Sequence, residues 1–218
     1  METDFWLARW AQNEIGFHET DFHPMLRQHW QTVIDRASLS DASTQHAVFV
    51  PLCGKSRDML WLMACGFHVC DIELSHLAVD AFFRENNLAY EKSTESNLIK
   101  YAGDNVTLWC GDIFALEHTQ LPLINLFYDR AALVALPPDI RARYVTKLTD
   151  LMAPNAHGLV VSLEYDLSLL NPPPHAITID SVIESFSGCG ECEHLGSGTG
   201  EVKGRPCVEH AMLVKTKS

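Results

Sequence analysis

The stretch HAVFVPLCGKSRDMLWLMACGFHVCDIEL, residues 46–74, contains the signals that decide the fold. Its apolar run over 46–52 predicts a buried strand, the helical pattern over 57–65 predicts a helix, and a second apolar run over 67–74 predicts another strand. A strand, a helix and a second strand of these lengths are typical of a parallel sheet that is covered by helices.

Strands and helices continue to alternate along the rest of the chain. Further strands are predicted over 106–110, 123–129, 158–165 and 207–216, and helices over 5–10, 23–39, 76–87, 137–152 and 178–186. Ser56 and Ser75 can cap helix starts, and Gly66 can end a helix. Residues 38–45 read as a polar connector, and the partner of the last strand is expected within 188–204. This order predicts a single α/β domain with helices on both faces of a mostly parallel sheet.

Composition and charge restrict the classes of partner. The 218 residues carry 16 Lys and Arg against 28 Asp and Glu, a formal net charge of −12, and the basic residues are scattered. Nucleic acids and anionic membranes attract clustered positive charge, so neither is expected as a partner. No apolar run approaches the roughly 18 residues of a membrane span, and the first 20 residues lack a secretory pattern. The seven cysteines are an odd number, which suits reduced thiols better than a set of disulfides. The missing secretory pattern and the reduced thiols together predict a cytoplasmic protein. Nothing in the sequence pattern demands more than a monomer.

The loop after the first predicted strand resembles the end of a phosphate-binding loop, G-x-x-x-x-G-K-[ST], at Gly54, Lys55 and Ser56. However, the first glycine of that pattern would fall at Phe49, and Pro51 lacks one of the N–H donors that such a loop uses. The dinucleotide pattern G-x-G-x-x-G also fails, because no glycine follows Gly54 at the required spacing. The loop therefore favours a ligand without phosphate, and Lys55 is expected to point toward solvent or a carboxylate.

Two acidic residues at predicted strand ends are candidates for binding an adenosine group. Glu73 ends the second strand and can accept hydrogen bonds from both ribose hydroxyls, although a solvated strand end is the alternative. Asp112 follows the third core strand and can accept the adenine amino group, with Ile113 and Phe114 against the ring; the alternative is a turn residue. S-adenosylmethionine carries a ribose, an adenine and positive charge but no phosphate, so it suits such a pocket.

Several stretches resemble one family, the thiopurine S-methyltransferases, and they occur in that family's order. They are FWLARWAQNEIGFHE (5–19), VFVPLCGKSRDM (48–59), IELS (72–75), WCGDIF (109–114), FYDRAALVALPPDIRARY (127–144), LEYD (163–166) and PPP (172–174). PLCGK and YDRAA are the most specific of these motifs. Beyond about residue 175 the match is thin, and Arg205 does not occupy the motif position of the family's C-terminal substrate-side arginine.

The resemblance implies a class I methyltransferase fold, Rossmann-like, whose mostly parallel sheet has seven strands with an antiparallel last strand. It implies S-adenosyl-L-methionine as cofactor and methyl transfer to the sulfur of small aromatic or heterocyclic thiols such as thiopurines, with selenium or tellurium compounds as other acceptors. Residues 1–45 would form a helical lid over a core of residues 46–218. The implied cofactor contacts are Trp6, Trp10, Phe17, Leu52, Glu73, Asp112, Ile113 and Arg130. Phe17 and Arg130 would also position the substrate, and the chemistry requires neither a catalytic base nor a metal.

Three alternatives compete with parts of this interpretation. The N-terminal aromatic residues could simply pack an amphipathic helix on the domain. Arg130 could form an ion pair with Asp129 or with a helix carboxylate instead of facing a ligand. Cysteine and histidine spacing near the end of the chain could form a structural zinc site in a binding module, with Cys189, Cys192, Cys207 and His210 as ligands.

Overall fold

The computed structural model describes residues 3–39 and 45–218, so residues 1–2 of the predicted lid and residues 40–44 of the predicted connector lie outside the described residues. The strands are β1 Ala47–Pro51, β2 His68–Glu73, β3 Glu91–Glu95, β4 Leu98–Ala102, β5 Val106–Cys110, β6 Ile124–Arg130, β7 His157–Glu164, β8 Gly190–Val202 and β9 Arg205–Thr216. The helices are α1 Thr3–Ala11, α2 Pro24–Ala37, α3 Asp58–Ala64, α4 His76–Glu85, α5 Pro138–Asp150 and α6 Ile179–Phe186. Each strand and helix predicted from the sequence is present.

All strands join one sheet in the order β3-β4-β5-β2-β1-β6-β7-β9-β8. The central strands β5, β2, β1, β6 and β7 are parallel, and β9 pairs antiparallel with both β7 and β8. The predicted α/β class, the mostly parallel sheet and the antiparallel last strand are therefore confirmed. Because β1 and β2 lie at the centre, residues 46–74 do build the middle of the sheet.

The predicted number of seven strands is wrong, because the described residues form a sheet of nine. The additional strands are the hairpin β3–β4, which extends the sheet antiparallel beyond β5. Every residue of β3 is exposed, and its sequence EKSTE lacks the apolar alternation that identifies a half-buried strand. A polar edge strand of this kind protects a sheet against pairing with other chains, but it looks like a loop in the sequence.

Helices cover both faces of the sheet, as predicted. The helices α2, α3 and α4 bury apolar side chains on one face, where Trp30, Met59 and Phe82 belong to the same cluster. On the other face, α5 and α6 contribute Tyr144 and Phe186 to a second cluster. None of the helices in the described ranges has the length and apolar character that a membrane crossing requires.

The predicted helix boundaries are largely confirmed. Ser75 caps α4, because its hydroxyl accepts a hydrogen bond from the main-chain N–H of Ala78 at 3.4 Å. Gly66 follows α3 with a φ of +93°, as a helix-ending glycine does. The expectation for Ser56 needs a correction, since the cap position of α3 is occupied by Arg57. Ser56 lies one residue before that cap position, and its hydroxyl accepts a hydrogen bond from the main-chain N–H of Asp58 at 3.2 Å.

Candidate functional site

A cavity of about 370 Å³ opens at the carboxyl ends of the parallel strands. Its wall includes the residues that follow β1, β2 and β6, the N-terminal segment, and the hairpin formed by β8 and β9. Ligands of open α/β sheets bind at this edge, because the strand ends and the helix starts meet there. The predicted site residues that line the cavity are Trp6, Trp10, Phe17, Leu52, Glu73 and Arg130.

The loop after β1 has an unusual backbone. Leu52 and Gly54 adopt left-handed φ values of +51° and +61°, and Ala131 after β6 has a φ of +70°. A left-handed conformation costs roughly 1–2 kcal/mol for a residue with a Cβ, so Leu52 and Ala131 hold strained positions at two neighbouring strand ends. Strain of this kind concentrates at ligand sites, and both residues line the cavity.

Glu73 is a buried carboxylate that connects two elements of the site. Its side chain accepts the N–H of Gly54 at 3.0 Å through Oε2 and the N–H of Ser75 at 2.8 Å through Oε1. Burial raises the pKa of Glu73 to about 7, although the main-chain hydrogen bonds lower it in part. Glu73 is only 6% exposed, so the alternative of a solvated strand end is wrong. Each carboxylate oxygen retains a second lone pair that a ligand hydroxyl can use.

Trp6, Trp10 and Phe17 of the N-terminal segment line the cavity rather than the core. The rings of Trp6 and Trp10 each meet the ring of Phe17 edge to face, with centroids 5.8 Å and 5.7 Å apart. No residue of α1 is buried. Trp10 lies against Gly54 so closely that a Cβ there would be 2.7 Å from its ring. The aromatic face of α1 therefore packs on the glycine loop beside the cavity, and contact of these rings with a cofactor stays a prediction.

Arg130 links the N-terminal segment to the end of β6. Its guanidinium donates a hydrogen bond to the main-chain oxygen of Phe17 at 3.2 Å and forms an ion pair with Glu19. Asp129 is not its partner, because this buried carboxylate accepts hydrogen bonds from the Leu133 N–H at 3.0 Å and the Tyr144 hydroxyl at 2.7 Å. Burial raises the pKa of Asp129 to about 6.

Asp112 and Ile113 lie outside the cavity wall. Asp112 Oδ1 accepts the N–H of Phe114 at 3.0 Å and caps a short 3-10 turn, which matches the alternative of a turn residue. Ile113 is buried in the core. The two still lie near the site, because the N–H of Gly111 donates to the main-chain oxygen of Glu73 at 3.0 Å. A contact of either residue with adenine stays a prediction.

Lys55 points toward a carboxylate, as expected. Its Nζ lies 2.8 Å from each carboxylate oxygen of Glu85 on α4. The neighbouring His18 also lines the cavity, and burial lowers its pKa, with the charge of Lys55 as a further cause. The ammonium group of Lys55 is therefore engaged within the protein.

The alternative of a zinc site is wrong, because the register of β8 and β9 separates its ligands. Cys192 lies opposite Val214, whereas Cys207 lies opposite Gly200. At about 3.3 Å per residue, the two thiols are roughly 25 Å apart along the hairpin. In the part of the chain that the structure describes, no group of three or more His, Cys, Asp or Glu is arranged to hold a metal ion.

A network of buried polar groups forms a part of the cavity wall that the sequence did not predict. Asp58 accepts the main-chain N–H of His23 at 2.7 Å and the hydroxyl of Tyr128 at 3.0 Å. The ring of His23 lies 3.2 Å from Glu209 Oε1. Asp58, Tyr128 and Glu209 line the cavity. The partners are 35, 70 and 186 residues apart, so no local spacing connects them.

Comparison with known proteins gives consistent results for sequence and structure. The family model described as thiopurine S-methyltransferase matches residues 1–203. Proteins named thiopurine S-methyltransferase from Pseudomonas syringae pv. syringae and Pseudomonas fluorescens are 41% and 43% identical, over 90% and 85% of this chain and 86% and 82% of theirs.

Solved structures share the fold at low sequence identity. The 1,6-didemethyltoxoflavin-N1-methyltransferase of Burkholderia thailandensis is 12% identical with a TM-score of 0.65, and the alignment covers 99% of this chain and 87% of that one. The N-methyltransferase NodS of Bradyrhizobium japonicum is 14% identical with a TM-score of 0.63 and full coverage of both chains. Both were solved with S-adenosylhomocysteine. The sheet described above is thus that of the S-adenosylmethionine-dependent methyltransferases.

Proposed function

We propose, since this chain belongs to the thiopurine S-methyltransferase family, that it transfers a methyl group from S-adenosyl-L-methionine to the sulfur of small aromatic or heterocyclic thiols. The chain is an S-adenosylmethionine-dependent methyltransferase, and the thiol acceptor is the finer part of the proposal. The observation that supports it best is the aromatic cover of Trp6, Trp10 and Phe17 over the cavity that Glu73 and Arg130 line.

The residues of the cavity fit this cofactor. Glu73 would accept the ribose hydroxyls with the lone pairs that Gly54 and Ser75 leave free. The left-handed turn at Leu52 and Gly54 would let the backbone lie against the methionine part, where no phosphate has to be held. The ring faces of Trp6 and Trp10 would stabilise a sulfonium by cation–π attraction. Asp112 and Ile113 would have to reach the adenine from outside the present cavity wall.

The N-terminal segment, residues 1–45, would act as a lid on a core formed by residues 46–218, all within one domain. Two observations on the described part of the segment support this. Trp10 packs on Gly54, and Arg130 ties the segment to β6 through Phe17 and Glu19. Within this segment α1 is the part that can move at low cost, because it buries no residue, whereas α2 is packed into the core. A lid of this type admits the ligands and then excludes water.

Positioning accounts for the chemistry that the protein has to provide. The bound cofactor supplies an activated methyl group on a sulfonium, and a thiolate is already a good nucleophile at neutral pH. Holding the two in line can lower the barrier by about 7–11 kcal/mol. Excluding water favours this transition state, because the opposite charges of thiolate and sulfonium are neutralised as it forms. Phe17 and Arg130 would orient the acceptor. This chain therefore needs no catalytic base for an acceptor that binds as a thiolate.

A panel of acceptors with methyl-labelled cofactor would test the proposal. We expect labelled methyl thioethers from thiophenol and from heterocyclic thiols, with a selenol as a further acceptor. We also expect S-adenosylhomocysteine to bind with 1:1 stoichiometry in calorimetric titration. Saturable binding without transfer to any sulfur acceptor would leave the methyltransferase assignment intact and contradict the thiol acceptor.

Gly54→Ala is expected to weaken the binding of S-adenosylhomocysteine by roughly tenfold or more, because the new methyl group forces Trp10 away and the left-handed φ is strained. Gly66→Ala is the matched control, since Gly66 also has a left-handed φ but a Cβ added there would have no atom within 4 Å. Both variants should lose similar stability in urea unfolding. Equal cofactor affinity in the two variants would mean that the contact between Trp10 and Gly54 has no role in binding.

Lys55→Ala is expected to change the affinity for S-adenosylhomocysteine by less than about threefold. The ammonium group is paired with Glu85, whose side chain is 44% exposed, and an ion pair with an exposed carboxylate contributes about 1 kcal/mol to stability. Calorimetric titration and urea unfolding measure the two effects. A variant that folds but no longer binds the cofactor would show that the loop after β1 recognises its ligand through Lys55.

A further inference from the structure

Glu209 on β9 lines the cavity and has no role in the chemistry described above. Its side chain is 16% exposed, and Oε1 lies 3.2 Å from Nε2 of His23, which is 1% exposed. Because an ionised carboxylate only accepts hydrogen bonds, the histidine ring donates. Asp58 fixes His23 in turn by accepting its main-chain N–H at 2.7 Å. Glu209 is thus a carboxylate held in place by a buried partner.

The charge of Glu209 is favoured by its surroundings. Burial alone would raise the pKa of this carboxyl, but the hydrogen bond from His23 and the charges of His23 and Arg130 outweigh that effect, so the pKa lies below its ordinary value. Oε1 is occupied by His23, and Oε2 has no hydrogen bond with any described residue. At neutral pH the cavity therefore contains an anchored, ionised acceptor with one free oxygen.

The other carboxylates of the cavity wall are already engaged or lack an anchor. They are Glu14, Glu19, Asp58, Glu73 and Glu201. Glu14 pairs with Arg9 at 3.1 Å, and Glu19 pairs with Arg130. Both oxygens of Asp58 and both oxygens of Glu73 accept hydrogen bonds within the protein. Glu201 is exposed near the turn of the hairpin. Glu209 is the member of this set that combines a fixed position with a free oxygen.

Heterocyclic thiols place a specific demand on such a site. When a ring nitrogen is adjacent to the carbon that bears sulfur, the neutral compound is a thioamide, with an N–H group and a C=S bond. Methylation at sulfur gives N=C–S–CH3, so the N–H proton must leave. A simple aryl thiol has no such N–H group. Recognition of the thioamide therefore requires an acceptor beside the sulfur, and an unpaired buried N–H would be costly.

We propose that Glu209 accepts a hydrogen bond, and then the proton, from the ring N–H beside the sulfur of a heterocyclic thioamide. The inference rests on the proposed thiol methylation and deepens it by naming the favoured acceptor class. The thioamide sulfur forms the new bond to the methyl carbon, and the bond from that carbon to the sulfonium sulfur breaks with its electron pair on the departing sulfur. The conjugated lone pair of the ring nitrogen forms the C=N bond as the C=S bond becomes single, the N–H electron pair stays on nitrogen as its new lone pair, and the proton passes to Oε2 of Glu209.

A carboxylate with a lowered pKa is sufficient for this proton transfer. Formation of the S–CH3 bond leaves positive charge on the ring and makes its N–H group strongly acidic, so a weak base accepts the proton. Arg130 lines the same cavity and carries a charge that acts on Glu209. A thioamide between the two would have a cation near its sulfur and an anion near its nitrogen, which fixes the orientation of the ring.

Glu209→Gln tests the proposal with 2-mercaptopyridine, a thioamide in water, against thiophenol, which has no ring nitrogen. We expect kcat/KM for 2-mercaptopyridine to fall roughly ten- to a hundredfold, the range for a lost hydrogen bond to a charged group. The kcat/KM for thiophenol should fall less than about threefold, because thiophenol has no ring N–H to donate to Glu209. Glu191→Gln, an exposed carboxylate on the same hairpin outside the cavity, should change neither value.

Equal losses for both acceptors, or no loss for either, would overturn the role of Glu209. If the variant does not fold, the wild-type enzyme gives a second test with 4-mercaptopyridine, whose N–H lies across the ring from sulfur. Its kcat/KM should be at least about tenfold lower than that of 2-mercaptopyridine, and equal values would overturn the proposal. The proposed function predicts that the wild-type enzyme methylates thiophenol. If it does, the outcomes above test Glu209 alone; if it does not, the proposed function itself fails.

Discussion

Glu73→Gln is expected to weaken the binding of S-adenosylhomocysteine by about a hundredfold or more, because each hydrogen bond to a charged acceptor contributes roughly 1.5–3 kcal/mol. The carboxylate would lose its charge toward both ribose hydroxyls. The glutamine amide also cannot accept the N–H groups of Gly54 and Ser75 together, so one of these buried donors loses its partner. Calorimetric titration measures the loss of affinity, and thermal unfolding measures the accompanying loss of stability.

The control for Glu73→Gln is Glu91→Gln, which removes an exposed carboxylate on β3 far along the sheet from the cavity. This variant should bind S-adenosylhomocysteine as the wild-type enzyme does. A folded Glu73→Gln variant whose affinity stays within threefold of wild type would contradict the ribose contact. The carboxylate would then serve only to join the loop after β1 to the start of α4.

Arg130→Met is expected to lower kcat/KM for thiophenol by about a hundredfold, because the hydrogen bond to Phe17 contributes roughly 1.5–3 kcal/mol and the ion pair with the partly exposed Glu19 at most about 1 kcal/mol. Methionine fills much of the same volume without charge. The loss should have two parts, a lid that closes less often and an acceptor that is no longer oriented. Steady-state kinetics measure kcat/KM, and limited proteolysis of the N-terminal segment reports on the lid.

A double-mutant cycle with Glu19→Gln separates the two parts of the Arg130 effect. Glu19 is 41% exposed, so its removal should cost less than removal of Arg130. The double variant should be about as active as Arg130→Met alone, because both substitutions break the same link. Additive losses would contradict that shared link. A Glu19→Gln variant as damaged as Arg130→Met would show that the cation acts only through the lid and does not touch the acceptor.

Much of the fold could be predicted because its signals are local. The apolar run of β1, the glycine turn after it and the helix α3 lie within 20 residues of one another, and their periodicity is independent of the rest of the chain. Failure of the phosphate pattern at Phe49 and Pro51 is also a local fact, and the expectation drawn from it that Lys55 points toward a carboxylate is confirmed by its pairing with Glu85. The hairpin β3–β4 escapes prediction because polar edge strands have the composition of loops.

The resemblance of short motifs extends prediction to residues that no periodicity would select. Six of the residues that the motifs identify line one cavity, namely Trp6, Trp10, Phe17, Leu52, Glu73 and Arg130. Asp112 and Ile113 belong to the same set of motifs and lie outside its wall. The position of a residue in a motif indicates at which strand end the residue lies. The direction of its side chain depends on the local turn, and Asp112 caps a 3-10 turn.

The sequence by itself determined the class of the fold, the central strands and the mismatch of the glycine loop with the phosphate-loop pattern, because these depend on patterns that span fewer than about 20 residues. Only the tertiary structure decided that Cys192 and Cys207 lie at opposite ends of a hairpin, and that Glu209 meets His23 across 186 residues of chain. Strand order and register bring such residues together or keep them apart. Both result from the packing of the whole sheet, which no local spacing contains.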